Sequence, residues 1–154
     1  LTSYVPGRAV DDNAHIWLRF KGGAKGQLWV SQVAVGNENA LRLRIYGDKG
    51  GLEWEQENPN ILWFTPLGGL RQRLTRGSGA LSEAATAATR IPAGHPEGYL
   101  EAFATLYSDV ADVLVNGASA HHLPNIMDGL DGMWFIEACI ASSKNNGTWC
   151  ERNL

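Results

Sequence analysis

The strongest constraint on the fold is an alternation of apolar and polar residues that fills the first half of the chain. In NAHIWLRF (13–20), Ile16, Leu18 and Phe20 are separated by Trp17 and Arg19. A period of two residues is typical of a strand that is buried on one face. Five more segments have this pattern: GQLWVSQVAV (26–35), ALRLRIYG (40–47), GLEWEQE (51–57), NILWFTPL (60–67) and GLRQRLTR (69–76). The sequence therefore predicts six strands.

The connections between these segments are rich in turn residues, as in KGGAKG, GNEN and GDKGG. They are too short to hold a crossover helix, which favours antiparallel pairing. Helical spacing of apolar residues then runs from Pro96 to Asn116 and from about Pro124 to about Asn145. We predict a single α+β domain over residues 1–154, with an open-faced, mostly antiparallel sheet of about six strands and helices packed on one face. The small-residue stretch 77–94 is predicted to be a functional loop, a mobile lid or a short alanine-rich helix.

The alternation also sorts the strand residues onto two faces. One face is predicted to form the core under the helices: Ile16, Leu18, Phe20, Leu28, Val30, Leu41, Leu43, Ile45, Leu52 and Trp54. The opposite face mixes aromatic rings with arginines: Trp17, Arg19, Trp29, Arg42, Arg44 and Tyr46, with Trp63 as a further candidate. Because this composition is enriched in protein interfaces, we predict that the face binds another copy of the chain. The alternative is a solvated face on which tryptophans lie under long arginine and glutamate side chains.

Composition narrows the classes of partner. The chain is 44% apolar and 19% charged with a net charge of -3, so we predict no binding of nucleic acid. Its apolar runs are far shorter than the roughly 20 residues of a membrane span, so we predict no membrane insertion. Cys139 and Cys150 have neither metal-ligand spacing nor a signal peptide before them, which favours free thiols in the cytoplasm.

Few motifs in the chain indicate chemistry. No G-x-G-x-x-G segment opens a strand-to-helix unit, so we predict no dinucleotide site within this chain. His121 and His122 could suggest a metal site, but neighbouring loop histidines point apart, and a surface loop is the stronger interpretation. His95 stands between a long loop and a predicted helix start, where a side chain can meet a ligand. Alternatively, His95 caps Gly98 or packs beside Tyr99.

Three segments, taken in order, resemble a known family. They are DDNAHIWLRFKGGAKGQLWVSQVAVGNENALRLRIYGDKGGLEWEQENPN (11–60), GHPEGYLEAFATLY (94–107) and LPNIMDGLDGMWFIEACIASSKNNGTW (123–149). The run from Ser31 to Trp54 and the HPEGY segment are the more specific parts. Together they are similar to the C-terminal domain of the glucose-fructose oxidoreductase/inositol dehydrogenase/MocA (Gfo/Idh/MocA) family. The resemblance implies an N-terminal Rossmann domain for NAD or NADP in the parent protein, absent from this chain. It also implies catalytic lysine and histidine motifs upstream, and self-association through the exposed sheet face.

The resemblance assigns this chain a supporting role. We expect the substrate-side and oligomerisation domain of an NAD(P)-dependent sugar or polyol oxidoreductase, inactive by itself, with no catalytic residue and no cofactor of its own. The resemblance implies that His95, Arg8 and Asn37 are substrate-proximal. It also matches Asp128 and Gly129 to a pair at the start of the last helix, interpreted as structural: the glycine for close helix packing and the aspartate for local hydrogen bonding. The alternative is a non-catalytic binding or assembly module that uses the same sheet face.

Overall fold

A computed structural model describes residues 1–79, 81–119 and 123–152. Six strands precede the helices: β1 (Asn13–Arg19), β2 (Lys25–Ser31), β3 (Arg42–Gly47), β4 (Gly50–Glu55), β5 (Ile61–Pro66) and β6 (Gln72–Thr75). Three helices follow: α1 (Glu83–Ala87), α2 (Tyr99–Asn116) and α3 (Ile126–Lys144). Every strand pair is antiparallel, and the predicted α+β class is confirmed.

The six strands form two sheets. β1 pairs with β2, and the other four pair in the order β3-β4-β5-β6. The chain accordingly divides into two compact units, one made of residues 1–36 with the chain from Pro124 onward, the other of residues 37–123. Periodicity predicts strands but does not decide which strands pair. The connection from residue 32 to residue 41 is longer than a hairpin loop, and this is where the two sheets separate.

Strand register confirms the assignment of residues to faces. Directly opposed residues of an antiparallel pair lie on the same side of the sheet. Arg44 is opposite Glu53, and Glu53 is opposite Trp63, so all three share one face of the four-stranded sheet. Ile45 and Leu52 are opposed on the other face. Trp63 therefore belongs with the arginines.

Burial of the predicted core face is incomplete, which corrects the expectation from the pattern. Among the residues that the structure describes, no hydrophobic side chain is buried, and Leu43 and Ile45 remain 53% and 64% exposed. Strand alternation fixes the side on which a residue lies. How far that side is covered depends on tertiary packing, which alternation does not encode.

The ends of the helices agree only in part with the local sequence signals. α2 ends where predicted, because Gly117 adopts the left-handed conformation at φ 65°. It begins at Tyr99, three residues later than the predicted start at Pro96. Asp128 accepts a hydrogen bond from the backbone N–H of Asn125 at 2.7 Å, which confirms its structural role. A side chain at Gly129 would meet open space, so the expectation of close packing there is wrong.

The small-residue stretch contains a helix. α1 spans five residues, and the Ser82 side chain accepts a hydrogen bond from the backbone N–H of Ala85 at its start. Of the three interpretations of residues 77–94, the short alanine-rich helix is the one that the described residues adopt.

Candidate functional site

A cleft of about 310 Å³ lies at one end of the four-stranded sheet. One wall is the turn between β4 and β5, the second is the end of β6, and the third is the segment that leads into α2. Its lining includes several polar side chains, those of Glu57, Asn58, Asn60, Arg73, Thr75 and His95. A concave site with convergent polar groups is the usual form of a small-molecule site.

His95 is held at this cleft by its backbone. Its N–H donates to the carbonyl of Pro92 at 3.3 Å, and its own carbonyl accepts from the Arg76 guanidinium at 2.7 Å. The imidazole is exposed and has no hydrogen-bond partner within the described part of the chain. The alternative in which His95 caps the helix is wrong, because the N–H of Gly98 donates to the Glu101 carboxylate instead, at 2.9 Å.

Tyr99, the other partner considered for His95, packs within its own helix. Its ring lies 4.9 Å from that of Phe103, measured between centroids, with the two planes tilted by 58°. Stacking against a ring one helical turn away is the contact that helix geometry favours. The structure therefore shows neither of the two structural roles considered for His95, capping Gly98 or packing beside Tyr99.

A desolvated ion pair underlies the cleft. Arg76 and Glu97 approach to 2.6 Å, and their side chains are 16% and 6% exposed. The Glu97 carboxylate also accepts from the backbone N–H groups of Arg90 and Ile91 at 2.8 and 3.2 Å. Sequence reasoning missed both members of the pair. The available signal was a glutamate inside the GHPEG cluster, but nothing in the sequence identified its partner.

Electrostatics at the start of α2 keep a second carboxylate charged. The hydrogen bond from the backbone N–H of Gly98 is the main cause that lowers the pKa of Glu101, and the charges of Arg76 and Arg90 lower it further. An ionised glutamate in the first turn also suits the positive end of the helix dipole. Glu101 therefore fixes the helix start and with it the end of the segment that carries His95.

Arg8 lies in the other unit, within a loop organised by Asp12. The Asp12 side chain accepts from the backbone N–H groups of Tyr4 and Val5 and pairs with Arg8 at 3.3 Å. The hydrogen bond from Tyr4 is the main cause that lowers the pKa of Asp12, with Arg8 contributing a smaller part. The guanidinium of Arg8 is thus already engaged by a carboxylate.

Asn37 is exposed in the connection between β2 and β3. It is outside the residues that line the cleft. Of the three residues expected near substrate, His95 is therefore the one that contributes to the cleft wall.

The predicted interface residues remain exposed on their strands. Trp17, Trp29 and Tyr46 are 65%, 56% and 70% exposed. His15 stacks on Trp29 with the two planes 4° apart, so the β1–β2 sheet carries a row of exposed rings. Single exposed hydrophobic residues are normal on a protein surface and need no explanation. Several large aromatic rings close together on one face go beyond that normal exposure.

Two other rings, those of Trp63 and Trp149, are covered by arginine side chains, as the alternative of a solvated face predicts. The Arg71 guanidinium lies 4.3 Å from the centroid of Trp63, and that of Arg19 lies 3.8 Å from the centroid of Trp149. This cation–π contact stabilises the guanidinium and the ring against each other on a surface that stays solvated. It leaves Trp17 uncovered by a stacked cation among the described residues.

The arginines of the four-stranded sheet face glutamates. Arg42 approaches Glu55 to 3.8 Å, and Arg44 stands opposite Glu53 in the register. Opposite charges across neighbouring strands stabilise a sheet by a few tenths of a kcal/mol to about 1 kcal/mol. The face therefore alternates in sign, which suits contact with a second copy of itself.

Two features decide whether a metal ion or a dinucleotide could bind: the clusters of ligating side chains and the topology of the strands. Within the described ranges, no three His, Cys, Asp or Glu side chains come together in a way that could hold a metal ion. His121 and His122 lie outside the described residues. A Rossmann-type dinucleotide site contains a strand, a crossover helix and a parallel strand, whereas all strand pairs described here are antiparallel. The described residues therefore do not form a site of this type for NAD or NADP.

Over the residues that the structure describes, none of the helices has both the length and the apolar character that a transmembrane span requires.

Comparison with known proteins gives consistent matches. Residues 1–53 match the model of the GFO/IDH/MocA C-terminal domain. An uncharacterized oxidoreductase of Bacillus subtilis, YfiI, is 32% identical over 97% of this chain. The crystal structure of an oxidoreductase from Sinorhizobium meliloti superposes on 98% of the chain at a TM-score of 0.91 and 50% identity. An inositol dehydrogenase homolog from Azotobacter vinelandii, complexed with NADH and myo-inositol, superposes on 98% of the chain at a TM-score of 0.87 and 36% identity.

The matches extend along nearly the whole chain but along less than half of each relative. The chain spans 40% of the Bacillus protein, 44% of the Sinorhizobium chain and 42% of the Azotobacter chain. The resemblance read from the HPEG segment and the strand pattern is confirmed. The chain belongs to the GFO/IDH/MocA family, whose C-terminal domain it matches.

Proposed function

We propose that this chain is the substrate-side and oligomerisation domain of a cytoplasmic oxidoreductase that transfers hydride between NAD or NADP and a sugar or polyol. The observation that carries the proposal is the superposition, over 98% of the chain, on an inositol dehydrogenase homolog complexed with NADH and myo-inositol. The cleft beside His95 supports it, because several polar side chains in its lining can form hydrogen bonds with a ligand rich in hydroxyl groups.

The contribution of this chain is binding and orientation. The His95 imidazole and the Arg73 guanidinium are the cleft groups with no hydrogen bond or ion pair among the described residues, so they remain available to a ligand. A neutral imidazole can donate to one hydroxyl and accept from another. Arg8 and Asn37 complete the proposed substrate-proximal set. Holding hydroxyls in register lowers the entropy cost of reaction without any covalent step.

The cofactor belongs to the rest of the proposed enzyme. NAD or NADP would supply the hydride acceptor, and the residues described here do not form a Rossmann-type site for it. We therefore expect the 154-residue chain to be inactive and not to bind nucleotide.

The exposed sheet faces are the proposed surface for self-association. They carry Trp17, Arg19 and Trp29 in one unit and Arg42, Arg44 and Tyr46 in the other. Exposed aromatic rings and arginines are enriched at the centres of interfaces. The same faces would serve a non-catalytic assembly module, and the exposed rings are the observation that keeps this second function in consideration.

Enzyme assays test the first function. The full-length protein should reduce NAD⁺ or NADP⁺, followed by absorbance, with myo-inositol or another member of a panel of hexoses and polyols. The 154-residue chain, the matched control, should give no turnover and no nucleotide binding. Turnover by the chain alone would overturn the assignment of the cofactor to another region. A full-length protein that oxidises no polyol and binds no nucleotide, yet assembles through the sheet face, would establish the assembly module.

Variants of His95 test its place at the substrate. His95→Ala in the full-length protein should raise KM more than it lowers kcat, because a binding contact is lost while the chemical step is retained. Lys49→Ala, in the exposed turn between β3 and β4, is the control and should change neither. A large loss of kcat with unchanged KM would instead give His95 a role in the chemistry.

Analytical ultracentrifugation tests self-association. At tens of micromolar the chain should form dimers or larger oligomers, and Trp17→Ala combined with Trp29→Ala should shift it toward monomer. Lys49→Ala, in the exposed turn between β3 and β4, is the control and should leave the assembly unchanged. A monomer at this concentration would contradict the proposed role of the sheet face.

A further inference from the structure

We propose that Arg76 and Glu97 are positioning residues that hold His95 at the cleft and thereby set the affinity for substrate. This inference rests on the proposed function of His95. It adds two residues that touch no ligand themselves and whose effect is transmitted through the backbone of the segment from Arg90 to Glu97.

Arg76 reaches this segment from the end of β6. Its guanidinium donates to three carbonyls of the segment, those of Ile91, Pro92 and His95, at 2.6, 3.2 and 2.7 Å. Guanidinium groups suit this task because their donors are arranged in a rigid plane. A lysine would offer one compact charge and could not hold all three carbonyls in the same geometry.

Glu97 closes the same segment from its other end. Its carboxylate accepts from the backbone N–H groups of Arg90 and Ile91, which start the segment, while Glu97 itself ends it. The pairing with Arg76 at 2.6 Å joins the two sets of contacts. Both ends of the segment are therefore fixed on one ion pair, and His95 lies between them.

Asn60 attaches this arrangement to the sheet. Its side-chain oxygen accepts from Arg76 at 2.9 Å and from the backbone N–H of Glu97 at 3.2 Å. Its backbone carbonyl accepts from the N–H of Arg76 at 3.0 Å. The segment is thus tied to the turn between β4 and β5, which forms the facing wall of the cleft.

The arrangement explains why a buried ion pair is present here. Buried pairs add little net stability compared with apolar residues of similar volume, because desolvation of the charges offsets their attraction. Fixed geometry is a use that apolar residues cannot supply. The backbone around His95 is held by charged groups, while its imidazole is left without a partner in the described structure.

The test uses Arg76→Lys and Glu97→Gln in the full-length oxidoreductase. Each variant should raise KM for myo-inositol, or for the panel substrate that the wild type turns over, by about tenfold or more, with a smaller change in kcat. Hydrogen exchange should show faster exchange at the amides of Arg90 and Ile91. Arg71→Lys, a change of the same kind in the exposed Arg71–Glu53 pair, should alter neither quantity.

A double-mutant cycle with His95→Ala separates positioning from general destabilisation. If Arg76 acts through His95, the KM of Arg76→Lys with His95→Ala should equal that of His95→Ala alone. Additive effects would overturn the inference, as would an unchanged KM in a folded Arg76→Lys protein. If one variant does not fold, the same cycle with the near-isosteric Glu97→Gln replaces it.

The outcomes also distinguish this inference from the proposed function. A raised KM in His95→Ala with wild-type KM in Arg76→Lys and Glu97→Gln overturns the positioning role and leaves the proposed function standing. An unchanged KM in His95→Ala removes His95 from the substrate and overturns the positioning role, even if hydrogen exchange shows that the pair orders the segment. Turnover of a polyol by the wild type would still support the proposed function.

Discussion

Replacing Arg76 by alanine should destabilise the folded chain strongly. The change leaves the Glu97 carboxylate, which is 6% exposed, with two backbone donors but no cation. Removing one member of a buried pair typically costs about 3–5 kcal/mol, since the remaining charge is desolvated and uncompensated. Three carbonyls also lose their donor, but water can reach those nearest the surface. With an ordinary domain stability of about 5–15 kcal/mol, this is a substantial part of the total.

Urea unfolding followed by tryptophan fluorescence measures the effect. For a slope of about 2 kcal/mol per molar urea, a loss of 3–5 kcal/mol moves the midpoint down by about 1.5–2.5 M. Arg42→Ala is the matched control, because Arg42 and Glu55 are 62% and 43% exposed and 3.8 Å apart. An exposed pair contributes about 1 kcal/mol or less, so the control midpoint should move by about 0.5 M at most.

Equal shifts in the two variants would refute the reasoning. They would mean that the Arg76–Glu97 pair is as well solvated as the surface pair, and that its contacts add nothing beyond it. A shift in Arg76→Ala accompanied by a changed slope would indicate an altered unfolded or native state instead of a lost interaction.

Three further predictions concern other parts of the chain. Gly50→Ala should cost about 1–3 kcal/mol or more, because its Cβ would lie 2.5 Å from a backbone oxygen, whereas Gly22→Ala meets open space and should change the urea midpoint little. The pKa of Asp12 lies below its ordinary value of 3.8, so its stabilising effect is complete above that value and is lost as the pH falls through the folded-state pKa. Asp12→Asn should therefore flatten the fall of Tm in acid, and an unchanged acid profile would contradict this. Burial raises the pKa of the Cys139 thiol while Cys150 is exposed, so limiting iodoacetamide at neutral pH should label Cys150 first by peptide mass spectrometry, and equal labelling would contradict the assignment.

Local patterns predicted the elements of this fold because their causes are local. The strand β3 followed from alternation around Leu43 and Ile45, and the end of α2 followed from the glycine at position 117. The HPEG segment, together with the other two segments, carried the resemblance to the family, whereas the sequence left open whether His95 meets a ligand or caps the helix.

Features that depend on distant residues were not predictable in this way. The partners Arg76 and Glu97 are separated by a long stretch of chain, and no periodicity links them. The same limit applies to the division of six strands into two sheets, which depends on which strands meet. The pairing of Arg8 with Asp12 likewise follows from the path of the loop that joins them. Residue types carry propensity, whereas pairing and burial arise from tertiary packing.

The double use of Asn60 has an evolutionary consequence. One amide oxygen serves both Arg76 and the backbone of Glu97, so the β4–β5 turn and the segment carrying His95 cannot drift independently. A substitution at Asn60 or Arg76 leaves both of the other residues with broken contacts, and one at Glu97 leaves Arg76 without its carboxylate, so a tolerated change requires compensation at a second position. Across relatives of this chain, the asparagine, the arginine and the glutamate should therefore be gained, kept and lost together.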